Sequence, residues 1–527
     1  MIRIATAFAL LLPALLLAHD GSPRLSRSPE ERFCGMELID PFLPETYRPS
    51  RPTLTGPVSY RVKTNFRVHY TTRGADSTSW QYAESVAVYA ESCRARVIRL
   101  GWYPPPPDQG VGGDDRYDYY VRQISGAVGV TPPDSAYTNP FPDGYSSWIE
   151  VDPGVSWASL RSLVAHEFHH AVQERYSKFE QPFWWFYENT STWMEDILFP
   201  GYGGLYGRTR WNPSPLLATH YAINSRAGNY EYPGGLWPKF LAEYYGADVP
   251  RRVWDLCGRH SGDHVQQDTD SVLRTYCGSG IENAVAHYAI WRYFTGTRDD
   301  NLHYDQAERC TTAVLLRTHT TYPASGTEGT WDPRGPGGMD LVEFRTNGSQ
   351  DLTVSFNGAN GYTWRAYVLA RRGSATYEQR IVLNSNGDGS ITIPSWMVLT
   401  AVLIPVVVQW SDANDSTPAL TFSYSASVAD AYAAMADVET ESLFLGQSIP
   451  NPVRDAARIA YALQQGERGM LVIRDAAGST VREYAVAGQG TVAWDGRDRE
   501  GRRLPAGVLF CQLTAGGKSV RNKLILE

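Results

Sequence analysis

Residues 159–200 read SLRSLVAHEFHHAVQERYSKFEQPFWWFYENTSTWMEDILFP. Within them His166-Glu167-Phe168-His169-His170 forms an H-E-x-x-H. Residues four apart on a helix stack on one face, so His166 and His170 aim two ring nitrogens at one point, with Glu167 beside them. That is the spacing of a metal site with a carboxylate at hand to move a proton. The flanks favour a helix. Leu160, Leu163, Val164, Ala171 and Val172 recur at helical spacing, and Ser156 or Ser159 stands where a cap is needed. No Pro or Gly intervenes between Trp157 and Pro182. A helix this apolar around two histidines belongs deep in a fold; the alternative is a surface helix with a histidine cluster.

After Gln181-Pro182, residues Trp184 to Asp196 read as a second helix. Glu188 and Glu195 are seven apart on it and share a face. A catalytic zinc takes three protein ligands and keeps one position open. Here the sequence resembles the gluzincin metallopeptidases, whose third ligand is a Glu on the helix after H-E-x-x-H, often within W-x-x-E, with a further carboxylate in the next two turns. Trp185-Phe186-Tyr187-Glu188 and Glu195 fit that pattern, and Glu188 lies 18 positions beyond His170 (188 − 170). Asn189-Thr190-Ser191 replaces the usual Gly or Ala after the ligand, so Glu195 stays open as the alternative to Glu188. The metzincin pattern is excluded, because Gln173 and Tyr176 stand where it needs Gly and His. His169 reads as a core or supporting histidine.

The resemblance implies one Zn²⁺ per chain on His166, His170 and Glu188, with Glu167 as general base and Glu195 orienting a ligand histidine. It also implies a downstream Tyr or His that stabilises the oxyanion; Tyr232 and Tyr230 are the candidates. No G-x-M-E-N precedes the motif, which favours an endopeptidase over an aminopeptidase. A non-catalytic metal-bearing adhesin is the other class left open, and Glu167 argues against it.

The chain has 527 residues and a formal net charge of −8. That length suggests about three domains, and the charge argues against a nucleic-acid partner. Residues 1–18 read as a signal peptide, with Arg3 ahead of an apolar run and small residues before His19. Pro13 breaks that run, and no later stretch reaches membrane-spanning length. The expected location is therefore secreted or cell-surface. Residues 19–55, rich in Pro, Arg and Ser, read as an extended arm or propeptide. Six cysteines without a C-x-x-C are disulfide candidates in an exported protein, Cys257 with Cys277 first. Cys34 has two readings: a disulfide, which is the more ordinary, or a thiolate capping the metal.

Residues 56–335 are expected to form an α+β zinc-peptidase domain: a strand from Tyr60 to Tyr70, a helix from Trp80 to Leu100, strands at Tyr117–Val121 and Ser147–Asp152, then the motif helix. Trp148 to Val151 is the candidate edge strand that pairs with a protein or peptide substrate. Residues 336–429 read as a β-sandwich of short alternating strands. Within it, Asn384 to Ser390 is expected to be a tight hairpin turn; a calcium loop is the weaker reading, because Ser395 stands where the closing Glu belongs. Residues 430–441 read as a linker. In residues 442–527, Asn451-Pro452, Asp475 to Gly478, Trp494-Asp495-Gly496 with Asp498 and Gly501, and Pro505 to Phe510 follow in order. This resembles the small Ig-like C-terminal domain of exported bacterial proteins, similar to type IX sorting domains and the hook-capping protein's Ig-like module. The resemblance implies an export machinery as partner.

Overall fold

The computed structural model describes Cys34 and residues 50–178, 183–260, 264–329, 332–373, 375–410, 418–430, 443–449, 452–453, 456–463, 466–476 and 478–526. The expected signal peptide, most of the arm, the turn at Gln181-Pro182, Asn451 and nearly all of the linker lie outside the described residues.

The chain begins with a hairpin, β1 (Val58–Val62) and β2 (Phe66–Thr71). A single strand was expected from Tyr60 to Tyr70. The polar Lys63-Thr64-Asn65 instead turns the chain, and the Lys63 amide donates to the Phe66 carbonyl at 2.9 Å. Helix α1 (Trp80–Arg99) follows, its start capped by Ser79 Oγ, which accepts from the Tyr82 amide at 3.1 Å. Strands β3 (Tyr117–Val121), β4 (Gly129–Val130), β5 (Pro133–Ala136), β6 (Tyr145–Ser147) and β7 (Ile149–Val151) come next.

One mixed sheet runs β1-β2-β3-β7-β4. Strands β2, β3 and β7 are parallel, and the outer strands pair antiparallel. The expected edge strand is therefore an inner one. Ile149 and Val151 are fully buried, as suits a strand with neighbours on both sides, and β4 covers the edge they would have offered.

Helix α2 (Trp157–Tyr176) carries the motif. Ser156 caps it, its Oγ accepting from the Ser159 amide at 3.3 Å. Every residue from Ser162 to Glu174 is buried, so the surface-helix alternative fails. Phe168 meets Phe66 of β2 edge-to-face at 5.9 Å, which ties the helix to the sheet. Helix α3 (Trp184–Leu198) packs along α2 with its Trp, Phe and Tyr side chains inward. Helices α4 (Leu205–Arg208), α5 (Leu236–Tyr244), α6 (Val249–Cys257), α7 (Val265–Cys277) and α8 (Ile281–Tyr293) complete an α+β unit around one core.

None of the six cysteines is in a disulfide. The expected Cys257–Cys277 pair is ruled out by helix geometry. Cys257 bonds to Asp268, and nine further residues of α7 carry Cys277 about 13 Å away, beyond disulfide reach.

Two facing sheets follow. One has the order Ala375–Ile381, Trp364–Arg372, Thr400–Val407, Val342–Arg345, Arg317–His319. The other runs Asp388–Ile393, Gln350–Gly358, Phe422–Asp430, Ala324–Thr327. Phe344, Val354, Phe356, Trp364 and Phe422 fill the space between them. The sandwich recruits strands from residue 317 onward, ahead of the compositional change at 336. Asn384 to Ser390 is a tight turn but not a hairpin, because the strands on either side join different sheets. Asn384 Oδ1 accepts from the amides of Asn386 at 2.8 Å and Asp388 at 3.0 Å. The loop's own backbone thus engages that oxygen.

The last unit is a second, smaller pair of sheets. Three strands (Phe444–Ile449, Ala457–Ala462, Gln489–Trp494) face four (Thr480–Ala487, Arg468–Asp475, Gly507–Ala515, Lys518–Leu526). Asp and Gly make its turns: Ser479 N donates to Asp475 Oδ1 at 2.8 Å, and Arg502 N to Asp498 Oδ1 at 2.8 Å. Trp494 is buried between the sheets, and its indole N–H donates to the Arg497 carbonyl at 2.9 Å. Among the described residues no helix is long and apolar enough to cross a membrane.

Candidate metal centre

The four-residue spacing on α2 does what helix geometry requires. His170 Nε2 and His166 Nε2 face each other at 3.1 Å. Glu188, from the second turn of α3, brings Oε2 to 3.0 Å from His166 Nε2 and 3.6 Å from His170 Nε2. The other nitrogen of each ring is held from behind. His166 Nδ1 lies 2.9 Å from Glu195 Oε1, and His170 Nδ1 lies 2.7 Å from Gln173 Oε1. Gln173 is in turn fixed by donating to Thr190 Oγ1 at 2.6 Å and to the Tyr187 carbonyl at 3.0 Å. Both imidazoles therefore present Nε2 to one point, the arrangement that supporting hydrogen bonds impose on metal-binding histidines.

The two glutamates on α3 separate cleanly. Glu188 faces both Nε2 atoms. Glu195 sits one turn behind His166 and accepts from Ser162, from Arg208 Nη1 at 2.6 Å and from the Gly204 amide at 2.9 Å. The geometry sets Glu188 beside both Nε2 atoms and Glu195 behind the His166 ring.

Burial sets the electrostatics, and the local charges then redirect them. Burial opposes a charge on His166, yet its contacts with Glu188 and Glu195 raise its pKa to about 9. Burial would raise Glu188, but the two rings opposite hold it well below the usual carboxylate range. Glu195 is lowered too, chiefly by Arg208 and His166 against the effect of burial. In Glu167 burial wins and its pKa rises, with His170 and His166 offsetting only part. Thr131 Oγ1 donates to Glu167 Oε2 at 2.8 Å, while the buried Oε1 has no hydrogen-bond partner. A Cβ on Gly129 would stand 2.5 Å from that Oε1, so β4 approaches Glu167 as closely as only glycine allows.

His169 points away, with Nδ1 at 3.2 Å from Ser191 Oγ and its ring edge-on to Trp102 at 5.0 Å. Burial holds its pKa well below the ordinary value, and it is a core histidine as expected. Tyr232 is at the centre, its ring 6.0 Å from that of His166. Tyr230 packs against Tyr221 at 5.7 Å and is not.

One residue enters that the motif does not contain. Cys34 joins His166, His170 and Glu188 in a set whose donor atoms all lie within 4.8 Å of one another. It is the one such cluster among the described residues. Its amide donates to Tyr232 Oη at 3.2 Å, and it makes a parallel bridge to Gly129. Four buried donors of these types could hold a divalent cation. Thr131, Gly129, Gln173, Arg208 and Ser162 were not legible as site residues; Ser162 and Gln173 share the motif helix but belong to no motif, and the others come from distant parts of the chain. A separate cleft lined by Tyr244, Trp291, His303 and Leu445 contains none of the centre's residues.

Residues 455–519 match the FlgD Ig-like domain. The C-terminal unit is therefore an Ig-like domain of that type. No curated protein matches the chain in sequence. Among solved structures, PorZ of the Porphyromonas gingivalis type-IX secretion system is 24% identical over 16% of this chain and 11% of that one, with a TM-score of 0.13. Latent PorU of Porphyromonas gingivalis is 16% identical over 38% and 20%, with a TM-score of 0.19. A biofilm-associated protein's BSP domain is 10% identical over 46% and 55%, with a TM-score of 0.15. The chain thus spans about a tenth of PorZ and about half of the BSP chain.

Proposed function

We propose that this chain is an exported bacterial zinc endopeptidase. The observation that carries the reading is the spacing of the donors. Ligand atoms about 2.0–2.1 Å from a tetrahedral zinc stand about 3.3 Å apart. The three separations among His166 Nε2, His170 Nε2 and Glu188 Oε2 are 3.0, 3.1 and 3.6 Å. The orphaned Glu167 Oε1 supports catalysis over a purely structural metal, since a buried carboxylate oxygen without a partner costs stability and needs a use.

Bound there, zinc would supply Lewis acidity toward the scissile carbonyl and lower the pKa of water to about 7. The chain's own groups do the rest. Thr131 fixes one oxygen of Glu167 and leaves Oε1 to take the proton from water. The raised pKa of Glu167 improves it as a base and lets it hand that proton to the leaving amine. Tyr232, whose pKa burial lifts well above the ordinary value, stays protonated and can donate to the developing oxyanion. Glu195 and Arg208 hold the His166 ring in place. The Ig-like C-terminal domain would serve the export machinery.

A second reading rests on Cys34. A centre closed by four protein donors is the pattern of a structural zinc, which would suit a metal-bearing binding protein. Metal analysis with hydrolysis of unfolded casein separates the two. The proposal requires about one zinc per chain and hydrolysis that a chelator abolishes and zinc restores. Zinc without hydrolysis, once the fourth donor is removed by Cys34→Ala, would favour the binding protein.

A further inference from the structure

We propose that Cys34 is a built-in inhibitor, which occupies the substrate's place and closes the metal centre with its thiolate. The inference rests on the peptidase reading of the same site and adds how that site is held silent.

Three independent contacts place Cys34 there. Its side chain belongs to the four-donor cluster with His166, His170 and Glu188. Its backbone bridges Gly129 on β4, the open edge of the sheet beside α2. An extended peptide substrate would pair at that edge. Its amide donates to Tyr232 Oη at 3.2 Å, and Tyr232 Oη donates back to its carbonyl at 3.4 Å. The hydroxyl assigned to the oxyanion is thereby engaged by the chain itself. With Cys34 in place, Cys34, His166, Glu167 and His170 have no exposure, and Glu188 and Tyr232 have 2%. A protein substrate cannot reach a centre so sealed.

The chemistry favours closure. A thiolate is a stronger zinc ligand than water, and His166, His170 and Glu188 supply only three of the four donors that a tetrahedral ion takes. Opening would be a ligand exchange, in which the Cys34 thiolate takes up a proton from solvent and leaves the fourth position to water. No redox step is required.

The test uses the full chain loaded with Co²⁺ in place of zinc, wild type against Cys34→Ala. The wild type should show thiolate-to-cobalt charge-transfer absorption in the near ultraviolet, and Cys34→Ala should keep the tetrahedral cobalt bands but lose that absorption. With zinc restored, casein hydrolysis should rise at least about tenfold in Cys34→Ala, the gain expected if the latch is closed in nine molecules of ten. Cobalt bound by the wild type without the thiolate band overturns the latch and leaves the peptidase reading standing. The band present, with no gain in Cys34→Ala, overturns the latch as an inhibitor. No metal bound by either protein overturns both proposals. The wild-type spectrum needs no substitution, so poor folding of the variant does not shield the idea.

Discussion

Replacing Glu195 by Gln tests the division of labour between the two glutamates on α3. Glu195 touches no centre-facing atom of the cluster; it grips His166 Nδ1 at 2.9 Å and receives Arg208 at 2.6 Å. Loss of such a supporting carboxylate lowers metal affinity about 10–100-fold, or about 1.4–2.7 kcal/mol. Glu195→Gln should therefore still bind zinc in a competition titration against a chromophoric chelator, with an affinity reduced within that range. Glu188→Gln removes a donor and should lose more. The metal-free protein should suffer too. Arg208 is 2% exposed, and stripping a buried cation of its partner costs about 3–5 kcal/mol. Glu195→Ala should show that loss in urea denaturation, and the amide of Glu195→Gln, which retains an acceptor oxygen, should show less. If Glu195→Gln binds zinc more weakly than Glu188→Gln does, the assignment is wrong and Glu195 is the ligand. Unchanged affinity would instead show that His166 needs no support.

Other outcomes follow from separate features. Gly129→Ala places a Cβ 2.5 Å from Glu167 Oε1; zinc content should hold while hydrolysis falls by something on the order of 10²-fold, the effect of misplacing a reacting group by about 1 Å. Phe168→Ala empties a fully buried site against Phe66 and should cost about 3–5 kcal/mol in denaturant titrations. Burial lifts the Asp108 carboxyl to about 7, with Arg51 opposing and Asp118 adding to the rise. The folded state thus keeps a proton that the unfolded chain gives up near the ordinary value of 3.8. The stabilisation from this group is complete below that value and is lost as pH climbs through about 7. Denaturation midpoints should fall over that window, and Asp108→Asn should flatten the fall. An equal slope in the variant would refute the assignment.

The motif helix, its cap and the aromatic helix after it were legible in the sequence because each rests on local rules: four-residue spacing, a Ser ahead of the first turn, a long run free of Pro and Gly. The same spacing brings His166 and His170 together, whereas Glu188, on the next helix, was expected beside them only from the gluzincin resemblance. Non-local features were not legible. Whether β7 lies at an edge depends on where Gly129–Val130 settles, and two residues carry no strand signal. The hairpin at Lys63–Asn65 was hidden because the alternating pattern continues through it. The Cys257–Cys277 pairing rested on closeness in sequence, which a straight helix defeats. Cys34 had the right chemistry in a stretch of sequence with no pattern at all; only its meeting with Gly129 and Tyr232, far along the chain, sets it beside His166, His170 and Glu188.

The central claim is hydrolysis with Glu167 as the base. The most direct measurement is casein hydrolysis and zinc content in the Cys34→Ala chain, with and without Glu167→Gln. The account predicts about one zinc per chain in both and a loss of at least about 10²-fold in the Gln variant. Equal hydrolysis in the two proteins would contradict it.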